Sequence, residues 1–222
     1  MLQLLEITKQ IKQKAIELGF DACGIAKPDM LEKEYKHLLQ WLKEDKHGNM
    51  AYLEKNTHLK ADPRLAFDKT KSVITLLQSY FPAELQNKDA YYKIAKYAYG
   101  SDYHSLLKEK SKHFIQSVLT IKPNAWLKSF TDSNQILEKA WAARCGLGWI
   151  GKNTLLINKN LGSFFFISII LTDIELEYDS PVENNCGICE ACINACPVNA
   201  IEKPFNLNAS RCISYLTIES KT

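Results

Sequence analysis

Residues 186–197 read Cys-Gly-Ile-Cys-Glu-Ala-Cys-Ile-Asn-Ala-Cys-Pro. The Cys-x2-Cys-x2-Cys-x3-Cys-Pro spacing is that of the bacterial loop that binds 4Fe–4S clusters. The candidate ligands are Cys186, Cys189, Cys192 and Cys196, and the last of these serves the other cluster in two-cluster proteins. A structural zinc site is an alternative, although zinc ligands usually form two separated pairs. Disulfides are a weaker alternative.

Size and composition are those of an ordinary globular chain. The 222 residues allow one large core with a small appendix, and the charge of +3 permits nucleic-acid contact without arguing for it. Four of the seven cysteines lie within eleven residues, which favours a metal centre in a reducing cytoplasm. We expect no signal peptide and no membrane partner, because the most apolar run, residues 164–171, is far shorter than the roughly 20 residues that span a bilayer.

Hydrophobic periodicity predicts an α+β fold for residues 1–178. Helices are expected at 4–18, 30–43, 103–119 and 136–145. Strands are expected at 20–25, 73–77, 91–99 and 125–130, with a hairpin of 154–157 and 163–172. The order of the helices and of the mostly non-alternating strands gives the α+β class, for which we expect a mixed or antiparallel sheet with flanking helices. Residues 179–222 are predicted to form a truncated ferredoxin-like domain, with one short helix after the cysteine loop and another near Cys212.

A glycine-rich turn follows the last of these predicted helices. Three glycines occur in six residues, from Gly146 to Gly151, with Trp149 and Lys152 beside them. Such a backbone can approach a flat or anionic ligand closely, and a purely structural turn is the equal alternative. The turn follows a helix rather than a strand, and Asn153 stands where a Walker loop has Ser or Thr, so neither nucleotide fingerprint applies.

A third informative stretch places Asp102, Tyr103 and His104 where a predicted helix begins. These side chains can supply proton donors or polar ligand contacts, and Asp102 is equally well interpreted as a helix N-cap. Because a cluster alone moves single electrons, we expect the large preceding domain to bind a second redox centre or a substrate.

Five segments in this order resemble epoxyqueuosine reductase. They are Tyr-Ala-x-Gly-x-Asp-Tyr-His at 97–104, Asp132 with Glu138, Arg-x-Gly-Leu-Gly-Trp-Ile-Gly-Lys-Asn-Thr at 144–154, the cysteine run, and Arg-Cys-Ile-Ser-Tyr-Leu-Thr at 211–217. The resemblance covers nearly the whole chain. It implies a cobalamin-dependent enzyme with two 4Fe–4S clusters that reduces epoxyqueuosine to queuosine at the tRNA wobble position. It also implies a cobalamin-binding domain related to corrinoid-processing and reductive-dehalogenase folds.

The resemblance implies a role for individual residues. Asp132 aligns with the family's proposed proton donor, and Lys139 stands where the family usually has Arg. The positions implied to contact cobalamin are Tyr103, His104, Lys139, Trp149, Gly151, Lys152, Asn153, Ser214 and Thr217. We do not expect His104 to bind cobalt, because Asp102-x-His104 lacks the glycine of the corrinoid Asp-x-His-x-x-Gly signature; the cofactor is expected base-off.

Cys212 joins the four cysteines of the run as an implied cluster ligand. In the family a second cysteine group and a helical-repeat tail follow this segment, and five cysteines cannot complete two four-cysteine sites. The sequence is therefore expected to be the N-terminal part of a reductase. The expected partners are a tRNA with a queuosine-type wobble base and an electron donor such as a ferredoxin or flavodoxin system, and the chain is expected to be a monomer. A corrinoid iron–sulfur reductase for another small substrate, such as an organohalide, and a non-catalytic electron-transfer module remain alternatives.

Overall fold

A four-stranded antiparallel sheet lies at the centre of the computed structural model, which describes residues 2–133 and 135–220. The strands, in chain order, are β1 (Ala22–Ala26), β2 (Ser72–Ser79), β3 (Leu127–Thr131), β4 (Trp149–Ile150), β5 (Leu156–Ile157), β6 (Phe165–Thr172), β7 (Ile201–Lys203) and β8 (Asn206–Leu207). The central sheet has the order β1-β2-β6-β3, and each neighbouring pair is antiparallel. Of the two predicted sheet types, the antiparallel one is therefore found.

The helices of the chain are α1 (Leu2–Glu17), α2 (Glu32–Lys43), α3 (Thr57–Ala61), α4 (Tyr103–Ile121), α5 (Glu138–Arg144) and α6 (Ala191–Asn194). Helices α1, α4 and α5 cover the two faces of this sheet. One core cluster joins α1 and α4 to the sheet, and a second joins α5 and the β4–β5 hairpin to the opposite face. Among the described residues, no helix is long and apolar enough to cross a membrane.

The two-sided packing explains why the central strands do not alternate in sequence. In β2, Val73 and Leu77 pack into the cluster around Trp141, whereas Ile74 and Leu76 pack into the cluster around Phe114. All four β2 side chains are fully buried. A strand buried on both faces needs apolar residues at successive positions, which is the pattern in the sequence.

The strand predicted at residues 91–99 is wrong. This segment contains a 3-10 turn at Lys96–Ala98 and otherwise irregular backbone, and Tyr91 and Tyr92 are exposed. Its alternation of aromatic and small or charged residues suggested a strand. However, β2 already pairs with β1 on one side and with β6 on the other, so residues 91–99 cannot add a strand next to β2.

The hairpin predicted for residues 154–157 and 163–172 is wrong in its strand pairing. Strand β5 pairs with β4, whereas β6 lies between β2 and β3 in the central sheet. Only an isolated bridge, between Asn158 and Gly162, joins the two sides of the predicted turn. The apolar run of β6 therefore forms an inner strand of the sheet and not one arm of a local hairpin.

The C-terminal segment packs on residues 41–54. The Trp41 indole donates to the carbonyl of Leu207 at 2.6 Å, and the amide of Asn49 donates to the Tyr215 hydroxyl at 2.8 Å. A π-helical turn, Tyr215–Glu219, occupies the place of the predicted second helix. His47 is buried against Trp41 and pairs with Glu54 at 2.8 Å. The division at residues 178 and 179 stays a prediction.

Candidate active site

Asp132 lies directly after β3, at the end of the sheet where β6 begins. Thr131 pairs with Ser168 of β6, and their hydroxyls are 2.8 Å apart. Asp132 itself has φ of +48°, a left-handed conformation that few non-glycine residues adopt. The chain turns sharply there, and the Asp132 side chain is 61% exposed. A strained backbone at the end of a strand is often part of a functional site.

The N-terminus of α4 brings two of the predicted residues to this carboxylate. The Tyr103 hydroxyl donates to Asp132 Oδ2 at 2.5 Å, and His104 Nε2 lies 3.3 Å from the same oxygen. Asp102 caps the helix by accepting from the His104 amide at 3.0 Å, and the same oxygen lies 2.8 Å from His104 Nδ1. Both interpretations of this stretch therefore apply: Asp102 is the cap, and its neighbours face Asp132.

Charges around His104 favour its protonated form. The hydrogen bond to Asp102 raises the pKa of His104, and Asp132 adds to the effect. The pKa of Asp102 is lowered by the same hydrogen bond. Burial, together with the Asp132 carboxylate, raises the pKa of Tyr103, which therefore stays a neutral donor. The site thus combines an exposed carboxylate, a phenol that donates to it and an imidazole that keeps its proton.

Two further residues of this site were not assigned from the sequence. Glu138, at the start of α5, accepts from the Ser133 amide at 2.9 Å, and burial raises its pKa to about 7. Burial also raises the pKa of Tyr52, and the negative charges of Glu219 and Asp132 add to this. Glu138 was visible in the motif, but without a role. Tyr52 lies in a 3-10 turn that carries no motif, so only the tertiary structure identifies it.

The glycine-rich turn forms the opposite end of α5. A side chain at Gly148, where φ is +155°, would lie 2.2 Å from the backbone oxygen of Ile157, so this position requires glycine. Lys139 donates to the carbonyl of Thr154 at 3.0 Å, which ties the start of the helix to this turn. Trp149, Gly151, Lys152 and Asn153 belong to this turn, and their contact with cobalamin stays a prediction.

The residues of this turn fit a bulky cofactor. The indole Nε1 of Trp149 is buried without a partner among the described residues, and an unpaired buried donor is unusual. Trp149 lines a groove of about 720 Å³ together with Arg144, Asn184 and Phe205. A cofactor with amide acceptors, such as cobalamin, would satisfy the indole donor.

Ser214 and Thr217 lie at the π-helical turn of the C-terminal segment. Thr217 donates its hydroxyl to the carbonyl of Ile213 at 2.9 Å. The negative charges of Glu219 and Asp132 both raise the pKa of Tyr52, after burial. The turn itself packs on residues 48–49, where the Tyr215 hydroxyl accepts from the Asn49 amide at 2.8 Å.

The five candidate cluster ligands are free thiols. Cys189 is exposed, and Cys186, Cys192, Cys196 and Cys212 are partly buried. The amide of Ala200 donates to the Cys196 sulfur at 3.2 Å, and such backbone N–H groups lower the pKa of this thiol. Across the two described ranges, no three His, Cys, Asp or Glu side chains converge as metal ligands. The thiols fit a cluster in type and accessibility, while their sulfurs are not gathered around one point.

The two remaining cysteines have a different environment. Cys145 is buried in the core beside the Thr75 hydroxyl, at 3.2 Å, and burial raises its thiol pKa to about 12. Burial likewise raises the pKa of Cys23. Thiolate is the form that binds metal, so these two thiols are poor ligands and the cysteine run is the better one.

Comparison with known proteins finds two matching family models and a set of similar proteins. Residues 60–133 match the family model described as "Epoxyqueuosine reductase QueG, DUF1730", and residues 185–222 match "4Fe-4S double cluster binding domain". An epoxyqueuosine reductase of Cellulophaga algicola is 47% identical over 211 residues, which are 95% of this chain and 69% of that protein.

Solved structures give the same result at lower identity. A crystal structure of epoxyqueuosine reductase with an epoxyqueuosine-modified tRNA-Tyr stem loop matches with a TM-score of 0.84 and 29% identity, and the match covers 96% of this chain and 57% of that one. The catabolic reductive dehalogenase NpRdhA shares the fold alone, with a TM-score of 0.52 and 12% identity over 92% of this chain and 24% of that one.

The fold and the C-terminal segment define an iron–sulfur oxidoreductase of α+β architecture. More particularly, the chain belongs to the epoxyqueuosine reductase family. The resemblance inferred from the sequence motifs is confirmed. The chain spans 69% of the length of the Cellulophaga relative and 57% of the solved chain.

Proposed function

We propose that this chain carries the catalytic site for reducing epoxyqueuosine to queuosine in tRNA, with Asp132 as the proton donor. The observation that carries the proposal is the carboxylate of Asp132 at the end of the sheet, contacted by Tyr103 and His104. A relative of this chain is described in complex with an epoxyqueuosine-modified tRNA stem loop, which supports the substrate class.

The chemistry requires two electrons and two protons for each epoxide. The carbon–oxygen bonds of the epoxide break, an alkene forms, and the oxygen leaves as water. Cobalamin, when bound, supplies the reducing cobalt for the family reaction, while electrons come from iron–sulfur clusters and from a donor such as a ferredoxin or flavodoxin. The protein's own part is to bind these groups, exclude water and supply the protons.

The proton path uses groups that already touch one another. His104, at 3.3 Å from Asp132 Oδ2, holds a proton, because Asp102 stabilises its imidazolium form. Asp132 takes up this proton on its exposed carboxylate and gives it to the departing oxygen, and the second proton follows the same path. Tyr103 fixes the orientation of the carboxylate by donating to the same oxygen. The three side chains therefore act as one proton-delivery unit.

The cofactor sites follow from the same assignment. Lys139, Trp149, Gly151, Lys152 and Asn153 would hold cobalamin together with Ser214 and Thr217. Cys186, Cys189, Cys192, Cys196 and Cys212 would contribute thiolates to two 4Fe–4S clusters, which need eight in all. The unpaired indole of Trp149 and the lowered pKa of Cys196 support these roles.

Anaerobic reconstitution tests the proposal. The 222-residue chain, and the longer protein where its gene continues, are loaded with cobalamin and iron sulfide and supplied with a chemical reductant. We expect queuosine to form in tRNA that contains epoxyqueuosine, detected by nucleoside mass spectrometry. Full loading with both cofactors but no queuosine from the longer protein would show that the substrate is wrong.

Asp132→Asn is the matched variant. It keeps the size and the hydrogen-bond acceptor at the Tyr103 hydroxyl but cannot donate a carboxyl proton. We expect turnover to fall by about 10²- to 10⁴-fold, the usual contribution of a general acid, while the cobalamin absorption spectrum stays unchanged. Normal turnover of this variant would remove Asp132 from the mechanism.

A further inference from the structure

A row of aromatic side chains leads from Asp132 to solvent. The rings follow one another across the ends of β2 and β6 in the order Tyr103, Phe166, Tyr80, Phe164 and Phe81. Successive ring centroids are 4.2, 4.6, 6.0 and 5.1 Å apart. We call this row the aromatic strip. It begins at the phenol that donates to Asp132 and ends at Phe81, which is 52% exposed.

A lysine lies over the exposed end of the strip. Lys96 Nζ is 4.5 Å from the ring centroid of Phe81 and 4.6 Å from that of Phe164. The next residue, Tyr97, packs its ring edge-on against Tyr103 at 6.2 Å. The exposed end of the strip thus combines ring faces with a positive charge, and it is connected by direct ring contact to the Asp132 site.

The connection between β2 and α4 extends this surface. It runs over residues 80–102 with only one 3-10 turn, and loops of this length inside a compact domain are usually functional. In this connection the exposed fraction is 90% for Tyr91 and 77% for Tyr92. The connection also contains Lys88 and Lys93 in addition to Lys96. Side-chain amides order the connection, since Gln86 donates to the carbonyl of Tyr92 and accepts from the amide of Ile94.

We infer that the aromatic strip and the β2–α4 connection form a docking surface for single-stranded nucleotides that flank the modified base of the substrate RNA. Ring faces beside lysines are the arrangement on which unpaired bases stack while phosphates are neutralised. The inference rests on the proposed function, which brings a tRNA anticodon loop to Asp132. A base held at Asp132 leaves its chain neighbours at the adjoining surface, where the strip lies.

Binding to RNA tests the inference without turnover. A fluorescently labelled RNA stem-loop with an unpaired anticodon loop is titrated with the 222-residue chain at low salt, and a fully paired duplex of equal length serves as comparison. We expect the stem-loop to bind more tightly than the duplex. We expect Phe81→Ala to weaken stem-loop binding by about 5- to 150-fold, the range for loss of one base–aromatic stack. Phe81→Trp preserves a ring face and should bind like the unmodified chain.

Lysine variants separate the charge from the stacking. Lys96→Gln should reduce the slope of log affinity against log salt by about 0.7, the value for one phosphate contact on a single strand, and Lys96→Arg should restore it. Lys122→Gln is the control, because Lys122 follows α4 beside the start of β3, at the other end of the sheet from Asp132. It should leave the slope unchanged.

The outcomes distinguish this inference from the proposed function. Equal stem-loop affinity of Phe81→Ala and the unmodified chain, with both folded by circular dichroism, overturns the docking surface even where queuosine is formed. Absence of preference for the stem-loop over the duplex overturns it as well. A third outcome is that Phe81→Ala no longer binds the stem-loop and that the unmodified, fully loaded protein shows no turnover. This outcome supports the docking surface and refutes epoxyqueuosine as the substrate.

Discussion

The protonation of Glu138 depends on its buried position beside the Asp132 turn. Burial raises its pKa to about 7 from 4.5, although the hydrogen bond from the Ser133 amide partly offsets this. The negative charge of Asp132 raises the pKa further. Near neutral pH the folded chain therefore holds a proton on Glu138 that the unfolded chain has already lost, so its stability depends on pH.

Glu138→Gln should reduce this dependence. A raised pKa in the folded state means that the contribution is complete below pH 4.5 and is lost as pH rises through about 7. The loss amounts to at most about 3 kcal/mol for a shift from 4.5 to about 7. The amide keeps an acceptor for Ser133 but does not ionise, so we expect the fall of its unfolding midpoint across this window to be clearly smaller than in the unmodified chain. Urea denaturation at a series of pH values measures it.

Glu109→Gln, on the exposed side of α4, is the control for this measurement. It should lose stability with rising pH as the unmodified chain does. A parallel decline in Glu138→Gln would show that some other group controls the dependence.

At this scale the sequence predicts individual residues but not their contacts or their state. The resemblance implied Asp132 as the proton donor and Tyr103 and His104 as cobalamin contacts, and the structure adds the hydrogen bonds that join the three. The raised pKa of Glu138 and the position of Tyr52 arise from burial by segments distant in sequence, and neither has a local pattern. The sequence therefore predicts the acid Asp132 but not the roles of Glu138 and Tyr52 around it.

At the scale of elements, one residue at the N-terminus of α4, Asp102, both caps this helix and contacts His104 of the proton path. Asp102 accepts from the His104 amide, which caps the helix, and it also pairs with the His104 ring. The two functions of Asp102 use the same carboxylate oxygen, and two substitutions can separate them.

Asp102→Ala and Asp102→Asn should differ in a defined way. Alanine removes the cap and should destabilise the chain by about 1 kcal/mol, whereas asparagine caps equally well and should cost little. Both remove the negative charge, so the pKa of His104 should fall in each. In both variants His104 then loses its proton at a lower pH, and the alkaline decline of turnover moves to lower pH with it. NMR titration of the His104 ring and urea denaturation measure the two effects, and an unchanged His104 titration in both variants would contradict the assignment.

Elements themselves were predicted where one physical cause dominates. The helical periodicity of α1 and α4 and the apolar runs of β2 and β6 come from burial against the sheet or within it. Strand pairing was not predictable, because β5 and β6 adjoin in sequence but pair with different strands. Residues 91–99 have the aromatic residues that are common in strands, yet the rings of Tyr91 and Tyr92 are exposed.

At the scale of the whole molecule, the C-terminal segment is attached to residues 41–54 through Gly48 and Tyr215. Gly48 has φ of +60°, and a Cβ there would lie 2.7 Å from the Tyr215 hydroxyl. The amide of Asn49 donates to that hydroxyl. The tyrosine ring therefore packs directly on glycine backbone, which leaves no room for a side chain.

Gly48→Ala should loosen the C-terminal segment. The left-handed backbone costs about 1–2 kcal/mol for a residue with a Cβ, and the Tyr215 ring must also move. We expect faster hydrogen exchange at the amides of Ala209 and Leu216, measured by mass spectrometry, with little change in β2. Gly100→Ala is the matched control, since nothing lies within 4 Å of its added Cβ. Equal exchange in the two variants would show that Gly48 does not support the docking.

The contact between residues 41–54 and the C-terminal segment also sets an order of assembly during synthesis. Trp41 and Leu207, which share a hydrogen bond, are 166 residues apart, and the ammonium of Lys46 similarly reaches Asn206 and Glu202. A ribosome needs on the order of ten seconds to cover that distance. Until then the Trp41 indole and the Lys46 ammonium have only their local neighbours and water. One of the first segments to leave the ribosome is thus among the last to reach its final structure.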